Sequence, residues 1–509
     1  MSEATFLERI VAATRTHLSE RMRETPLDVM RARALAAPAP RPFAAALRPT
    51  FGGPARLIAE VKRASPSKGL LAERFDPVAR ARAYTAGGAA AISVLTEPDF
   101  FLGSLDDLSA VRAAVDAPVL RKDFLLDPYQ VYEARAAGAD AVLLICALLD
   151  DATLRDLLAL ARSLEMEALI EAHNADEARR AVAAGADVIG VNSRDLRTFA
   201  VDPDVVRRLR PLVPADRIFI AESGISDTLG ATRARAFGAD AILVGEALMR
   251  SEAPEKLARG LSSAPGGAMA QFFSATGDPY VKICGLKTAE QVRAVIELGA
   301  EAFGLVFASS RRQVTPEHAR TLVEAACSHS ALAPPLPRKG EGVRGRGPLA
   351  IGVFVNEPVE RIAAIAATVG LDAVQLSGDE SPETCTMVAN TTGLPVLRAF
   401  RLRTADDLTL LDEYALAGAI LMLDTPANDG SYGGTGQTGD WRLAAEAARR
   451  WPIILAGGLT PDNLAAALTA VAPRGVDVSS GVETDGAKDA TKIAHFLRVA
   501  RTSLPRGWD

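Results

Sequence analysis

The sequence predicts an α/β protein of two tandem (βα)8 barrels (TIM barrels), the first with an N-terminal helical extension. Three observations point there. One is a recurring phrase, Gly-Ala-Asp or a near variant followed by an apolar run. Gly138-Ala139-Asp140 leads into AVLLIC, Gly185-Ala186-Asp187 into VIGVN, Gly238-Ala239-Asp240 into AILVGE and Gly299-Ala300-Glu301 into AFGLVF, with variants at Gly88-Ala89 and Gly370-Leu371-Asp372. A helix that stops at Gly and hands over to a short β-forming run is one βα unit. The second observation is the count, eight such runs up to Met249 and eight more after a break. The third is length: 509 residues fit two barrels of roughly 250 residues each.

The elements follow in order. Residues before about 50 carry two helical stretches, ATFLERIVAATRTHLSERM and PLDVMRARAL. The first strand set is RLIAEV (56–61), AAISVL (90–95), PVLRK (118–122), AVLLIC (141–146), EALIEA (167–172), VIGVN (188–192), RIFIAE (217–222) and AILVGE (241–246). Alanine-rich stretches such as DPYQVYEARAAG and NADEARRAVAAG separate them, apolar at helical spacing. LSSAPGGAMAQ reads as a linker, which gives a first domain over 1–265, a linker over 266–276 and a second domain over 277–509. The second set is YVKIC (280–284), AFGLVF (302–307), LAIGVFV (349–355), AVQL (373–376), PVLRAF (395–400), AILMLD (419–424), PIILAG (452–457) and VDVSS (476–480). Within it, the Pro/Gly/Arg-rich segment 328–348 reads as a disordered insertion between a helix and the next strand, on the face away from the chemistry.

Composition narrows the class. A hydrophobic share of 49% with only 5% aromatics suits aliphatic packing of helices on parallel strands. A net charge of −6 gives no electrostatic case for nucleic acid. Cys146, Cys284, Cys327 and Cys385 lack CxxC spacing, so neither zinc nor a disulfide framework is expected, and a reducing cytoplasm fits. No apolar run is long enough for a bilayer, and the N-terminus has no signal-peptide core. A monomer acting on small molecules is expected.

In a barrel of this kind the polar residues that close the strands gather at one mouth. Glu60 and Lys62 lie two apart and share a face; Lys122, Glu171, Asn192 and Glu222-Ser223 close later strands. Lysine beside glutamate in a low-dielectric mouth separates acid from base at neutral pH. Gly224 and Gly245 follow the seventh and eighth strands, where backbone N–H groups bind phosphate. In the second half Cys284 ends its strand on the same face as Lys282, Asp424 closes another, and Gly457-Gly458-Leu459-Thr460-Pro461 with Ser480-Gly481 forms a second phosphate cup. A thiol beside an electropositive site is expected to shed its proton and serve as a base, with Asp424 as the matching acid. Gly434-x-Gly436-x-x-Gly439 matches a dinucleotide fingerprint only formally: it lies ten residues past its strand and is rejected.

LIAEVKRASPSKG, LRKDFLLDPYQ, LIEAHN, VNSRDL, AESGI and LVGEALM resemble, in order and spacing, indole-3-glycerol-phosphate synthases. That resemblance implies Lys122 as general acid on the ketone of 1-(2-carboxyphenylamino)-1-deoxyribulose 5-phosphate, and Glu171 and Lys62 in the later proton transfers, supported by Glu60 and Asn192. It implies Arg194 near the anthranilate carboxylate, and Ser65, Glu222, Ser223, Gly224 and Gly245 in substrate or phosphate binding. KICGLK, GLVFASSRRQV, GVFVN, VQLSGDE, LMLDT, YGGTGQTGDW, AGGLTPDN and VDVSSGVE are similar to phosphoribosylanthranilate isomerases. Here the resemblance implies an Amadori rearrangement with Cys284 as base, Asp424 as acid and Arg312 near the anthranilate carboxylate. Ser377 stands where that family usually carries His, which implies a weakened or re-routed polar contact. No metal or organic cofactor is implied. The product of the second half would be the substrate of the first, consecutive steps of tryptophan biosynthesis. Two other readings stay open, a chain in which only the synthase half works and a non-catalytic scaffold that binds phosphorylated metabolites.

Overall fold

The computed structural model describes residues 6–503 except 51, 67, 73–74, 196–197, 203, 277–279, 330–347 and 425–440. The centre of the insertion expected over 328–348 and the rejected fingerprint over 434–439 therefore lie outside the described residues. The chain divides into two compact units, Met1–Thr50 with Pro54–Ala264 and Phe51–Gly53 with Pro265–Gly507.

All sixteen apolar runs are parallel strands of two closed barrels. The first comprises β1 (Arg56–Val61), β2 (Ala91–Leu95), β3 (Val119–Lys122), β4 (Ala141–Ile145), β5 (Glu167–Ala172), β6 (Val188–Asn192), β7 (Ile218–Glu222) and β8 (Ala241–Val244), closed by pairing of β1 with β8. The second comprises β9 (Tyr280–Cys284), β10 (Ala302–Val306), β11 (Leu349–Phe354), β12 (Ala373–Leu376), β13 (Val396–Phe400), β14 (Ile420–Leu423), β15 (Ile453–Leu455) and β16 (Gly475–Val478), closed by β9 with β16.

The repeated Gly-Ala-Asp phrase has a physical cause at each position. The glycines at 88, 138, 185, 238, 299 and 370 all sit at positive φ, between 77° and 95°, where a helix must turn sharply into a strand. The acid that follows reaches sideways to the preceding strand and accepts a backbone N–H at its beginning. Asp140 takes Val119 N (2.7 Å), Asp240 takes Phe219 N (3.0 Å), Asp372 takes Ala350 N (2.9 Å) and Glu301 takes Val281 N (3.0 Å). Each carboxylate thus satisfies a donor that would otherwise be left unpaired at the barrel floor. Asp187 differs, pairing instead with Arg162 and Arg217 at 2.6 Å.

Alternation along the strands sorts the core. Leu57, Ala59 and Val61 pack outward against the helices, whereas Ile58, Leu120, Leu143, Leu169, Ile220 and Leu243 fill the barrel interior. Counting two residues on from the inward positions reaches Glu60, Lys122, Glu171 and Glu222, so the same periodicity that builds the core aims these groups into the mouth. The N-terminal helices α1 (Phe6–Glu24) and α2 (Leu27–Ala36) precede β1 as expected. Phe43 and Leu47 join the interior cluster, and Arg41 N donates to Asp140 at 2.6 Å, which fastens the extension to the start of β4.

The expected linker is not an irregular spacer. Gly267–Thr276 is a helix with Met269, Phe272 and Phe273 buried, and the Phe272 ring meets Tyr280 of β9 edge-on at 5.1 Å. Those three residues have the i, i+3, i+4 spacing of a helix face, which outweighs the flanking glycines. No helix among the described residues is long and apolar enough to cross a membrane, and the four cysteines are unbridged.

Candidate active sites

The mouth of the first barrel holds a cavity of about 500 Å³ lined by Glu60, Lys62, Ser65, Lys122, Glu171, Asn192, Arg194, Glu222, Ser223, Gly224 and Gly245. All of the expected site residues of this half therefore meet at one place. Lys122 is the hub: its Nζ lies 2.5 Å from Glu222 Oε2 and 3.1 Å from Glu171 Oε2. Lys62 pairs with Glu60 at 2.5 Å. Ser223 Oγ donates to Asn192 Oδ1 at 2.8 Å, and Arg194 N donates to the same oxygen at 3.0 Å. Ser65 Oγ is buried and has no hydrogen-bond partner among the described residues.

Two glycines make the room. A Cβ on Gly190, at an inward position of β6, would lie 2.1 Å from Glu222 Oε1. One on Gly245 would lie 2.2 Å from Glu60 Oε1 and 3.0 Å from Lys62 Nζ. Gly245 thus clears space for the Glu60–Lys62 pair as well as opening the turn into Glu246–Arg250. Ser223 and Gly224 both take positive φ, 65° and 76°.

Electrostatics separate the two carboxyls that flank Lys122. Burial pushes Glu222 up, with the Glu171 charge adding to it and Lys122 only partly opposing. Burial acts the same way on Glu171, but Lys122 and His173 outweigh it and hold that carboxyl well below its usual range. For Lys122, burial is overcome by the charges of Glu222, Glu171 and Glu60, so the ammonium holds its proton more tightly than usual. Adjacent carboxyls driven in opposite directions can divide acid and base duties.

His173 was missed by sequence reasoning. Its Nε2 lies 3.4 Å from Glu171 Oε1 and its Nδ1 3.1 Å from Glu177 Oε2. Burial disfavours its charge, but the two carboxylates prevail and raise it to about 10. The available signal was spacing, His173 two residues beyond Glu171 and four before Glu177 at a helix start.

In the second barrel a cavity of about 510 Å³ is lined by Cys284, Arg312, Ser377, Asp424, Gly457, Gly458, Ser480 and Gly481, again uniting every expected residue. Gly457 and Gly458 have φ of 81° and 62°. Thr460 caps the turn that follows: its Oγ1 accepts from Asn463 N (3.3 Å) and its carbonyl from Leu464 N (3.1 Å). The helix proper runs Leu464–Val471, a turn later than Thr460-Pro461 suggested. The two glycine loops touch, since a Cβ on Gly481 would lie 1.8 Å from the Leu459 carbonyl oxygen.

Arg312 is held in a two-point pair with Glu483, 2.7 Å from Nε to Oε1 and 3.0 Å from Nη2 to Oε2. Lys488 joins the same carboxylate at 2.8 Å. Burial opposes ionisation of Glu483, yet Arg312 and Lys488 bring it down to about 2. Ser377 Oγ accepts from Gln375 Nε2 at 3.0 Å, and Arg401 donates to the Ser377 carbonyl at 3.1 Å.

One expectation needs correcting. Cys284 is only 8% exposed, and burial pushes its thiol up, with Lys282 and Lys488 pulling the other way without cancelling it. A thiol that sheds its proton in the resting site is therefore not what this geometry gives. Sequence spacing located the neighbouring ammonium but not the depth of burial.

A sequence model of the indole-3-glycerol phosphate synthase family matches residues 7–261. The chain belongs to that family. A model of N-(5'phosphoribosyl)anthranilate isomerase matches 337–499, within the second barrel. An indole-3-glycerol phosphate synthase of Roseiflexus castenholzii is 53% identical across 48% of this chain and 93% of its own length. A multifunctional tryptophan biosynthesis protein of Phycomyces blakesleeanus is 39% identical across 88% of this chain and 62% of its own. The chain thus spans about three-fifths of the length of such multifunctional relatives (62%, 59% and 63% in three of them). Among solved structures, phosphoribosyl anthranilate isomerase from Thermotoga maritima is 36% identical over 43% of this chain and 98% of its own, with a TM-score of 0.36.

Proposed function

We propose that this member of the synthase family catalyses two consecutive steps of tryptophan biosynthesis. The second barrel would isomerise N-(5-phosphoribosyl)anthranilate to 1-(2-carboxyphenylamino)-1-deoxyribulose 5-phosphate, and the first would convert that product to indole-3-glycerol phosphate. The observation that carries this reading is the pair of complete mouths, each joining proton-transfer groups to glycine loops suited to a phosphate. The chain is proposed to act as a monomer in the cytoplasm on anionic phosphate esters, without nucleic acid, membrane or cofactor.

In the second barrel Asp424 gives a proton to the ribose ring oxygen, which opens the ring to an imine. Cys284, deprotonated once the site is occupied, removes the proton from the adjacent carbon, and the resulting enol tautomerises to the ketone. Arg312, pre-set by Glu483, faces the anthranilate carboxylate, while the Gly457-Gly458 and Ser480-Gly481 loops take the phosphate. In the first barrel Lys122, as general acid, gives a proton to the ketone oxygen as the aromatic carbon attacks and the new carbon–carbon bond forms. Carbon dioxide then leaves, and the hydroxyl departs as water while Glu171 and Lys62 handle the last protons, supported by Glu60 and Asn192. Ser65, Arg194, Glu222, Ser223, Gly224 and Gly245 shape the substrate and phosphate subsites.

The test feeds the purified chain N-(5-phosphoribosyl)anthranilate and follows both products. Transient accumulation of the deoxyribulose phosphate, then its conversion to indole-3-glycerol phosphate, is expected. Conversion only of added deoxyribulose phosphate would leave the synthase-only reading, and ligand binding without turnover would leave the scaffold.

A further inference from the structure

Barrel interiors of this class are filled by layers of branched apolar side chains, and an ionised lysine there is costly unless paired. Lys282, in the middle of β9, is fully buried. Its Nζ donates to Asp477 Oδ1 of β16 and to Gln375 Oε1 of β12, both at 2.9 Å. Two residues on, along the same inward face, is Cys284. Gly304 of β10 pairs with Cys284 across the ladder, and a Cβ there would lie 2.7 Å from Cys284 Sγ and 3.2 Å from Lys282 Cε. The thiol and the lysine stem therefore share one recess that only glycine leaves open.

The charges around the thiol come from several elements. Lys282 and the phenol of Tyr280 are on its own strand, and Asp477 is on β16. Lys488 belongs to the short hairpin after β16, Arg312 packs on Gly285, and Asp424 lines the same cavity. Glu483 already engages both Arg312 and Lys488, whereas Lys282 and Asp477 pair with each other at 2.9 Å between the adjacent strands β9 and β16. In a dry interior a fixed ammonium acts strongly on a neighbouring ionisation.

We propose that Lys282 and Asp477 are positioning residues that act through Cys284: the ammonium supports the thiolate, and Asp477 and Gln375 hold the ammonium in place and moderate its effect. The proposal rests on the reading of Cys284 as the isomerase base and deepens it. The proton that leaves the substrate carbon ends on Sγ, so the opposing pair sets how readily Cys284 is primed before each turnover. Packing alone would give Lys282 no such influence.

The experiment uses the full chain and measures iodoacetamide alkylation of Cys284 by peptide mass spectrometry from roughly pH 6 to pH 10, beside the pH profile of isomerase kcat. Lys282→Met should move the alkylation midpoint up by about one pH unit or more, and Asp477→Asn should move it down. The double variant removes both charges, which avoids a lone buried carboxylate, and should fall between wild type and Lys282→Met. That graded order is the signature of charge acting on the thiol. Midpoints that move the same way for Lys282→Met and Asp477→Asn, or do not move, would overturn the proposal. Should Lys282→Met fail to fold, the opposite displacements of Asp477→Asn and the double variant decide in the same way. If midpoints follow the predicted order while the kcat profile ignores them, the electrostatic device stands and the role of Cys284 as base falls.

Discussion

At the scale of single residues, the first mouth depends as much on missing atoms as on charged ones. Gly190→Ala would place a methyl 2.1 Å from Glu222 Oε1, and Glu222 would have to leave Lys122. Synthase kcat should fall about a hundredfold with isomerase turnover unchanged; equal loss of both rates would point to general damage. His173 offers a second check. Its folded value of about 10 lies above the ordinary value near 6.5, so its contribution to stability is complete below about pH 6.5 and disappears as pH rises through about 10. Histidine C2–H exchange should report a midpoint well above the ordinary one, and a midpoint near 6.5 would refute the Glu171–His173–Glu177 bridge. The charged rim residues were legible in the sequence because side chains alternate along a strand. His173 carried the same two-residue spacing from Glu171, but its pairing with Glu177 comes from the start of the following helix, which strand alternation does not show. The state of the Cys284 thiol was equally hidden, since spacing gives neighbours but not desolvation.

At the scale of elements, strand positions were legible because runs of β-formers recur, eight of the sixteen directly after a positive-φ glycine that ends a helix, and the register follows from barrel closure. What sequence did not show was why an acid so often follows that glycine: the carboxylate accepts a backbone N–H from a neighbouring strand, a long-range bond with no local signature. Asp140 serves both Val119 N and Arg41 N and pairs with Arg112 at 3.0 Å, fully buried. Asp140→Ala should lower stability by about 3 kcal/mol, read as an earlier denaturant midpoint, whereas the exposed Asp187 should tolerate the same change with a loss under about 1 kcal/mol. In the second barrel Gly481→Ala cannot be accommodated without moving the Leu459 carbonyl. Isomerase KM should rise about tenfold or more, because the two phosphate loops are pushed apart. The helix at Gly267–Thr276 was overlooked because the Ser, Pro and Gly of the preceding stretch masked the apolar spacing of Met269, Phe272 and Phe273.

At the scale of the whole molecule, two barrels with separate cores and separate mouths should work independently. Fragments ending near 265 and beginning near 266 are expected to fold and to keep one reaction each; the second must retain its first helix, since Phe272 packs on Tyr280. In the proposed function each mouth performs its own proton transfers. The most direct test is steady-state assay of both reactions in Lys122→Ala and Cys284→Ala, separately and mixed. One activity should vanish in each variant, and the mixture should again carry N-(5-phosphoribosyl)anthranilate through to indole-3-glycerol phosphate. Loss of both activities in either variant, or of neither, would contradict it.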